Sequence, residues 1–213
     1  MRYGLVVMAL LAGACRGRAG ASEAPRPAAD AAATPGASST TYADWYPSDI
    51  TPPAGTQYHC ALTALPRDLP GIPEGDRRFI NHAYSMVLAA TQAKLLLLRA
   101  LESTDGLEAP LEQYLHDVRR ARSHLADEPV PAGLEAFASD LVTALDLQQA
   151  FFVAGVERRR GGASLSDVYT IPEGRKASQH LFSAWARMQQ RYPAWGADVR
   201  DSVYHHLCAL DLF

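Results

Sequence analysis

From Asp76 onward, apolar residues recur at alternating spacings of four and three, the period of an amphipathic α-helix. The longest such seam comprises Phe79, Ala83, Met86, Ala90, Ala93, Leu97 and Ala100. Its alanines predict close approach of a neighbouring helix. Similar seams at 111–125, 134–155, 177–192 and 199–210 predict further helices. Because no stretch shows sustained alternation of β-branched residues, the pattern predicts an all-α bundle of four to five helices.

Proline and glycine mark the boundaries of these predicted helices. Pro110, Pro131 and Pro172 lie where helices are predicted to begin, the position that proline tolerates best. A glycine pair at 161–162 is predicted to end the third helix. Residues 193–196 are predicted to separate the fourth helix from the fifth.

The chain before the bundle falls into two compositionally different parts. Residues 44–75 hold six prolines together with large apolar residues, which predicts an irregular but ordered strap lying across the helical body. Residues 16–43 are dominated by Ala, Pro, Gly, Ser and Thr, and this composition predicts a disordered tether. A flexible chain of that length has a root-mean-square span of about 30 Å.

The first fifteen residues have the order of a signal peptide: Arg2, an uncharged apolar stretch at 4–14, and then Cys15. They resemble the bacterial lipoprotein signal peptide, and the residues that carry the resemblance are Leu10, Leu11, Ala12, Gly13, Ala14 and Cys15. The resemblance implies removal of residues 1–14 and lipidation of Cys15. Ala12-Gly13-Ala14 also fits a general signal peptidase site, which would release a soluble protein. An uncleaved anchor is the third alternative.

The resemblance also implies a location. Arg16, rather than aspartate, follows Cys15, which in a Gram-negative host favours the outer membrane facing the periplasm. The implied organisation is a signal peptide at 1–14, a lipidated tether at 15–43 and a single helical domain at 44–213, with the bundle from residue 76.

The chain has three cysteines, Cys15, Cys60 and Cys208. If Cys15 carries the lipid, Cys60 and Cys208 remain as an even pair in an oxidising compartment, which predicts a disulfide. Closing so long a loop could stabilise the fold by about 4–5 kcal/mol. The alternative is that Cys208 is a small buried apolar residue on the last helix.

Composition excludes several classes of function. The net charge is −3 and no basic domain or stripe is present, so we expect no nucleic-acid partner. The motifs G-x-S-x-G, H-E-x-x-H and C-x-x-C-H are absent, as are the Walker and Rossmann glycine patterns. We therefore assign no catalytic residue, no metal and no cofactor from sequence.

A short internal sequence repeat identifies two histidines as candidate binding residues. The tetrapeptide Ile-Pro-Glu-Gly occurs at 72–75 and at 171–174, and each copy is followed by a similar pentapeptide containing His82 or His180. One interpretation is a duplicated helical unit that places both histidines at a shared ligand or metal site. The alternative is chance combined with a common way of opening a helix, which leaves the histidines on helix faces.

Two polar features lie on the third predicted helix. Arg158, Arg159 and Arg160 close it, where they complement the helix dipole or, alternatively, dock on anionic lipid or polysaccharide. Gln148 interrupts the apolar seam, and a polar residue at such a position more often sets helix register than binds a ligand.

Taken alone, the sequence predicts a membrane-tethered lipoprotein of the bacterial envelope, with a helical domain that acts as a binding or assembly module. The predicted partners are the membrane, through the lipid on Cys15, and an envelope protein. One alternative is an exported protein that binds a small molecule or metal through His82 and His180. Another is a soluble secreted protein with an unrecognised hydrolase activity.

Overall fold

A computed structural model of the protein describes residue 65 and residues 69–103 and 106–212. Within these residues the fold is all-α, which confirms the predicted class. The helices are α1 (Glu74–Ser103), α2 (Glu108–Asp127), α3 (Glu135–Arg160), α4 (Leu165–Val168), α5 (Pro172–Arg191) and α6 (Ala197–Leu210). The five long helices correspond to the five predicted seams, and α4 is an additional single turn. None of the helices in the described ranges is both long and apolar enough to cross a membrane.

Consecutive long helices run antiparallel, because the start of each of the first four lies against the end of the next. α1 packs against α2, α3 and α6, while α3 packs most extensively against α5. Near the start of α1, Asp76 accepts hydrogen bonds from Tyr192 Oη at 2.5 Å and from Arg191 at 3.0 Å, which tie it to the end of α5. α1 and α5 are therefore antiparallel as well.

The apolar seam of α1 is buried from Phe79 to Leu97, as its spacing predicts. The burial extends further than one seam, because the polar side chains of Asn81, Thr91 and Lys94 are also buried. Each has a hydrogen-bond partner; Thr91 Oγ1, for example, donates to a backbone carbonyl one turn earlier at 2.8 Å. α1 is thus enclosed on several sides rather than lying on the surface of the bundle.

Helix α4 fills the connection between α3 and α5. Ser164 begins it with a capping box, in which its hydroxyl accepts from Asp167 N at 3.2 Å while Ser164 N donates to Asp167 Oδ2 at 2.9 Å. Val168 packs against α3 at Gly155, where a Cβ atom would lie only 2.9 Å from Val168 Cγ1. Gly155 is therefore the point of closest approach between α3 and this turn.

The three arginines that end α3 bind neighbouring segments. Arg159 Nε donates to Leu101 O at 3.0 Å and joins α3 to the last turn of α1. Arg158 donates to Thr170 Oγ1 at 3.0 Å, and Arg160 forms ion pairs with residues of its own helix and of α2. The arginines thus connect the end of α3 to α1, to α2 and to the segment after α4. α3 ends at Arg160 with Gly161 as its C-cap, which agrees with the predicted boundary.

Candidate binding site

A cleft lies between α5 and α6. Its walls include Phe182 and Trp185 from α5 and Tyr204, Leu207 and Cys208 from α6, with Asp211 at one end. The cleft has a volume of about 350 Å³, which includes the solvent at its open mouth. It is partly open to solvent and mainly apolar, and we refer to it as the α5–α6 cleft.

Aromatic side chains dominate the walls of the α5–α6 cleft. The rings of Trp185 and Tyr204 meet edge to face with centroids 5.5 Å apart. Phe182 lies beside them with 52% of its surface exposed, more than any other large apolar residue in the described part of the chain. Trp185 Nε1 is buried and has no hydrogen-bond partner within that part. Phe182 therefore adds an exposed ring to a wall in which the rings of Trp185 and Tyr204 are half-buried.

The polar end of the cleft is held in place by α5 and by the C-terminal residues. Asp211 Oδ1 accepts hydrogen bonds from Ser178 Oγ and from Leu212 N, the latter at 2.7 Å. The buried ammonium of Lys94 donates to Ala209 O at 2.7 Å and to Asp211 O at 2.5 Å. Burial lowers the pKa of Lys94 to about 8, against the opposing effect of the nearby Asp211 carboxylate. The cleft therefore combines an apolar wall with a carboxylate at one end.

Periodicity predicts most of this site but not its most exposed member. Leu181 and Trp185 belong to the predicted seam of α5, and Leu207 belongs to that of α6. Phe182 lies one residue after a seam position, where an amphipathic helix usually carries a polar residue. A large aromatic on the polar face was the available signal for the cleft.

His82 and His180 lie against different helices. His82 is buried on α1, where its Nε2 is 3.3 Å from His124 O of α2. His180 is half-exposed on α5, and its Nδ1 is 2.9 Å from Asp140 Oδ1 of α3. The same carboxylate accepts from Arg187 Nε at 2.5 Å through Oδ2. Each histidine thus takes part in a separate contact between neighbouring helices.

The antiparallel arrangement of α1 and α5 gives the offset between these two histidines. His82 lies six residues after Asp76, and His180 lies twelve residues before the Tyr192 that binds Asp76. At 1.5 Å per residue, the two positions differ by about 9 Å along the helix axes. Across residues 65, 69–103 and 106–212, no group of three or more His, Cys, Asp or Glu side chains is placed to hold a metal ion. The shared site stays a prediction.

The pairing of Asp140 with His180 is the arrangement by which a carboxylate orients an imidazole in many active sites. A nucleophilic site also needs a hydroxyl or thiol that the imidazole can deprotonate. The hydroxyl one turn further along α5, Ser183 Oγ, donates to Gln179 O at 2.9 Å. The Asp140–His180 pair therefore links α3 to α5.

Both copies of the Ile-Pro-Glu-Gly tetrapeptide lie at the start of a helix. α1 begins at Glu74 in the first copy, and α5 begins at Pro172 in the second. This placement favours the common helix-opening interpretation for the tetrapeptides.

The predicted cysteine chemistry falls mainly outside the described residues. Cys208 is half-buried on α6, in the wall of the α5–α6 cleft. Cys15 and Cys60 lie outside the described residues, as do the predicted signal peptide, the tether and most of the strap. Lipidation of Cys15 and the disulfide between Cys60 and Cys208 stay predictions.

His206, on the inner side of α6, is the most strongly perturbed histidine in the described residues. It is fully buried, its ring stacks on that of Tyr84 with centroids 4.1 Å apart, and its Nδ1 is 2.7 Å from Ser202 O. Burial lowers its pKa from 6.5 to about 4. The imidazole is therefore neutral near pH 7 and donates from Nδ1 to the carbonyl.

Comparisons with protein-family models, with curated proteins and with solved structures found nothing that matches this chain.

Proposed function

We propose that the protein is a binding module of the bacterial envelope, held to the membrane by a lipid on Cys15. In this proposal its α5–α6 cleft takes an apolar, aromatic-bearing segment of an envelope protein. The observation that carries the proposal is the exposure of Phe182 beside Trp185 and Tyr204 at a concave surface. Single exposed apolar residues are ordinary, but an exposed aromatic group that lines a cleft is typical of a docking site.

The shape of the cleft favours a protein segment over a small molecule. Sites for small molecules bury most of the ligand surface, whereas this cleft is partly open and its volume of about 350 Å³ includes the solvent at its mouth. Aromatic residues are also the usual anchors of protein interfaces.

The N-terminal sequence supports a role at the membrane surface. A tether at 15–43 lets the domain search a shell of about 30 Å around its anchor. Tethering raises the effective concentration of the cleft for partners in the same membrane, so a modest interface suffices. We infer that the protein captures partner proteins that lie in the same membrane.

A photo-crosslinking residue placed at position 182 in living cells tests the binding site. The matched control is position 153, because Val153 is similarly exposed on α3. We expect a discrete envelope protein, identified by mass spectrometry, to crosslink at 182 and not at 153. The adduct should be lost with Trp185→Ala. Equal adducts at both positions, or none at 182, would contradict the proposed site.

The anchor is tested separately by intact mass and by fractionation. We expect the mature protein to begin at Cys15 with added diacylglycerol and acyl groups. We also expect Cys15→Ser to move the protein from the membrane to the soluble fraction. A mature protein that begins elsewhere, without lipid, would refute the anchor and leave the cleft to be judged by crosslinking.

A further inference from the structure

We propose that the segment bound in the α5–α6 cleft carries an arginine, whose guanidinium pairs with Asp211 while its stem crosses the ring of Phe182. This assignment rests on the proposed function and deepens it, because it names a side chain that the partner segment presents. It is carried by the order of chemical groups along the cleft and by the contacts of the Asp211 carboxylate.

The α5–α6 cleft has a different chemistry at each end. At one end, Ser178 Oγ of α5 donates to Oδ1 of Asp211, the residue that follows α6. At the other end, the rings of Trp185 and Tyr204 meet with centroids 5.5 Å apart. Seven residue steps separate the two contacts on each side of the cleft, or about 10 Å along the helix axes. Phe182 lies between them, four steps after Ser178 and so about 6 Å from the carboxylate end.

The carboxylate of Asp211 is held in a fixed orientation at the polar end of the cleft. Asp211 lines the cleft and is half-exposed. Within the described residues, Ser178 Oγ and Leu212 N both donate to Oδ1, the latter at 2.7 Å. An ionised carboxylate has about four acceptor positions. It therefore retains the capacity to accept from a guanidinium that approaches along the cleft.

The buried ammonium of Lys94 is directed at the main chain at this end of the cleft. It donates to Ala209 O at 2.7 Å and to Asp211 O at 2.5 Å, where the end of α6 carries partial negative charge. Its positive charge weakens the attraction of the Asp211 carboxylate for a second cation. The exposed Arg175, three residues before Ser178, acts in the same direction. We therefore expect a modest preference for a cation, to which the aromatic wall also contributes.

The exposed ring of Phe182 favours arginine over lysine. A cation is attracted to an aromatic face within about 6 Å of the ring centroid, which matches the spacing of Phe182 from the carboxylate end. A guanidinium is planar, stacks on aromatic rings and is more weakly hydrated than an ammonium. Its apolar stem can lie along the ring.

The rings of Trp185 and Tyr204 then take a neighbouring residue of the same segment. Alternate residues of an extended chain share a face and lie about 7 Å apart. The arginine stem spans the rest of the distance of about 10 Å between the two ends of the cleft. The segment that fits is therefore an extended one, with an aromatic residue two positions from an arginine.

A matched pair of peptides tests this ligand chemistry on the purified full-length mature protein. The probes are acetyl-Phe-Ala-Arg-amide and the same peptide with citrulline, which has nearly the shape of arginine but no charge. Binding is followed by NMR at the indole N–H of Trp185, whose signal is assigned with Trp185→Phe. We expect the arginine peptide to bind about fivefold more tightly, because exposed ion pairs and exposed cation–π contacts are each weak.

Three variants assign the preference to the cleft. Asp211→Asn retains an oxygen for Ser178 and Leu212, and should remove most of the preference for arginine while the citrulline peptide still binds. Asp198→Asn is the matched control, because Asp198 is exposed on the same helix about 20 Å away along its axis. It should leave the preference unchanged. Phe182→Leu keeps an apolar side chain without a ring and should reduce the preference about twofold. Circular dichroism checks the helical content of each variant.

Equal affinity for the two peptides would overturn the assignment of an arginine, as would binding of neither peptide. A preference that persists in Asp211→Asn would overturn the role of that carboxylate. The proposed function fails separately. A crosslinked envelope protein at position 182 in cells, combined with equal affinity for the peptides, keeps the docking site and removes the arginine. An arginine preference in the purified protein without a crosslink in cells supports the ligand chemistry and contradicts the envelope partner.

Discussion

The buried imidazole of His206 makes the stability of the fold depend on pH between about 4 and 6.5. The folded protein keeps this side chain neutral, while the unfolded chain takes up a proton as the pH falls below 6.5. The pKa is lower in the folded state, so the full stability is present above pH 6.5 and is lost as the pH falls toward 4. The difference between the two pKa values corresponds to about 3 kcal/mol, of which about 2 kcal/mol is lost between pH 7 and pH 5.

Replacing the imidazole with a ring that does not titrate isolates this effect. His206→Phe retains an aromatic ring for stacking on Tyr84 and gives up the hydrogen bond to Ser202 O. We expect it to lower stability by about 1 kcal/mol at pH 7, and to remove most of the decrease between pH 7 and pH 5. The matched control is His116→Gln, since the side chain of His116 is 64% exposed. That variant should retain the decrease.

The assay is thermal unfolding at pH 7 and pH 5, followed by circular dichroism. For a folded region of about 150 residues, 2 kcal/mol corresponds to a decrease in Tm of about 6 °C in the wild-type protein. The carboxylates titrate mostly below this window and are shared by all three proteins. A His206→Phe variant whose Tm falls as far as that of the wild type would refute the assignment of this pH dependence to His206.

Three further perturbations test the packing. Because the pKa of Lys94 is lowered from 10.5 to about 8, the unfolded chain binds more protons than the folded protein between these pH values. The free energy of unfolding should therefore rise by about 2 kcal/mol from pH 7.5 to pH 10. Urea unfolding should show this rise in the control variant Lys176→Met but not in Lys94→Met. Asp140→Asn should cost about 1–2 kcal/mol in urea unfolding, because it weakens two hydrogen bonds between α3 and α5, and an unchanged midpoint would contradict that role. Gly155→Ala should destabilise the fold by about 1 kcal/mol, because the new Cβ would lie 2.9 Å from Val168 Cγ1. In a Val168→Ala background this clash is absent, and the higher helix propensity of alanine should make the same substitution stabilise the fold by a similar amount.

The helices could be predicted from sequence because each buries one apolar face. The seams of α3 and α6 around Phe137, Leu141, Val203 and Leu207 are buried as their spacing requires. The short helix α4 was missed because a single turn has no periodicity. Its capping box at Ser164 was the available signal.

The candidate site was less predictable, because it depends on which faces of the helices meet. Spacing identified Trp185 as a buried seam residue, and the structure shows it half-buried at the edge of a cleft. The sequence repeat identified His180 as a candidate, but the partner of His180 in the fold, Asp140, lies forty residues earlier on α3. Periodicity within one helix carries no information about the polar residue that a neighbouring helix will supply.

Two buried polar side chains, from α1 and α3, bind the end of α6 beside the α5–α6 cleft. Gln148, which interrupts the seam of α3, donates from Nε2 to Leu210 O at 2.6 Å. Lys94 of α1 donates to Ala209 O and Asp211 O. The last carbonyls of a helix lack partners within it, so these two side chains satisfy and fix the end of α6. Because α6 forms one wall of the cleft, fixing its end lowers the conformational entropy that binding in the proposed site would cost.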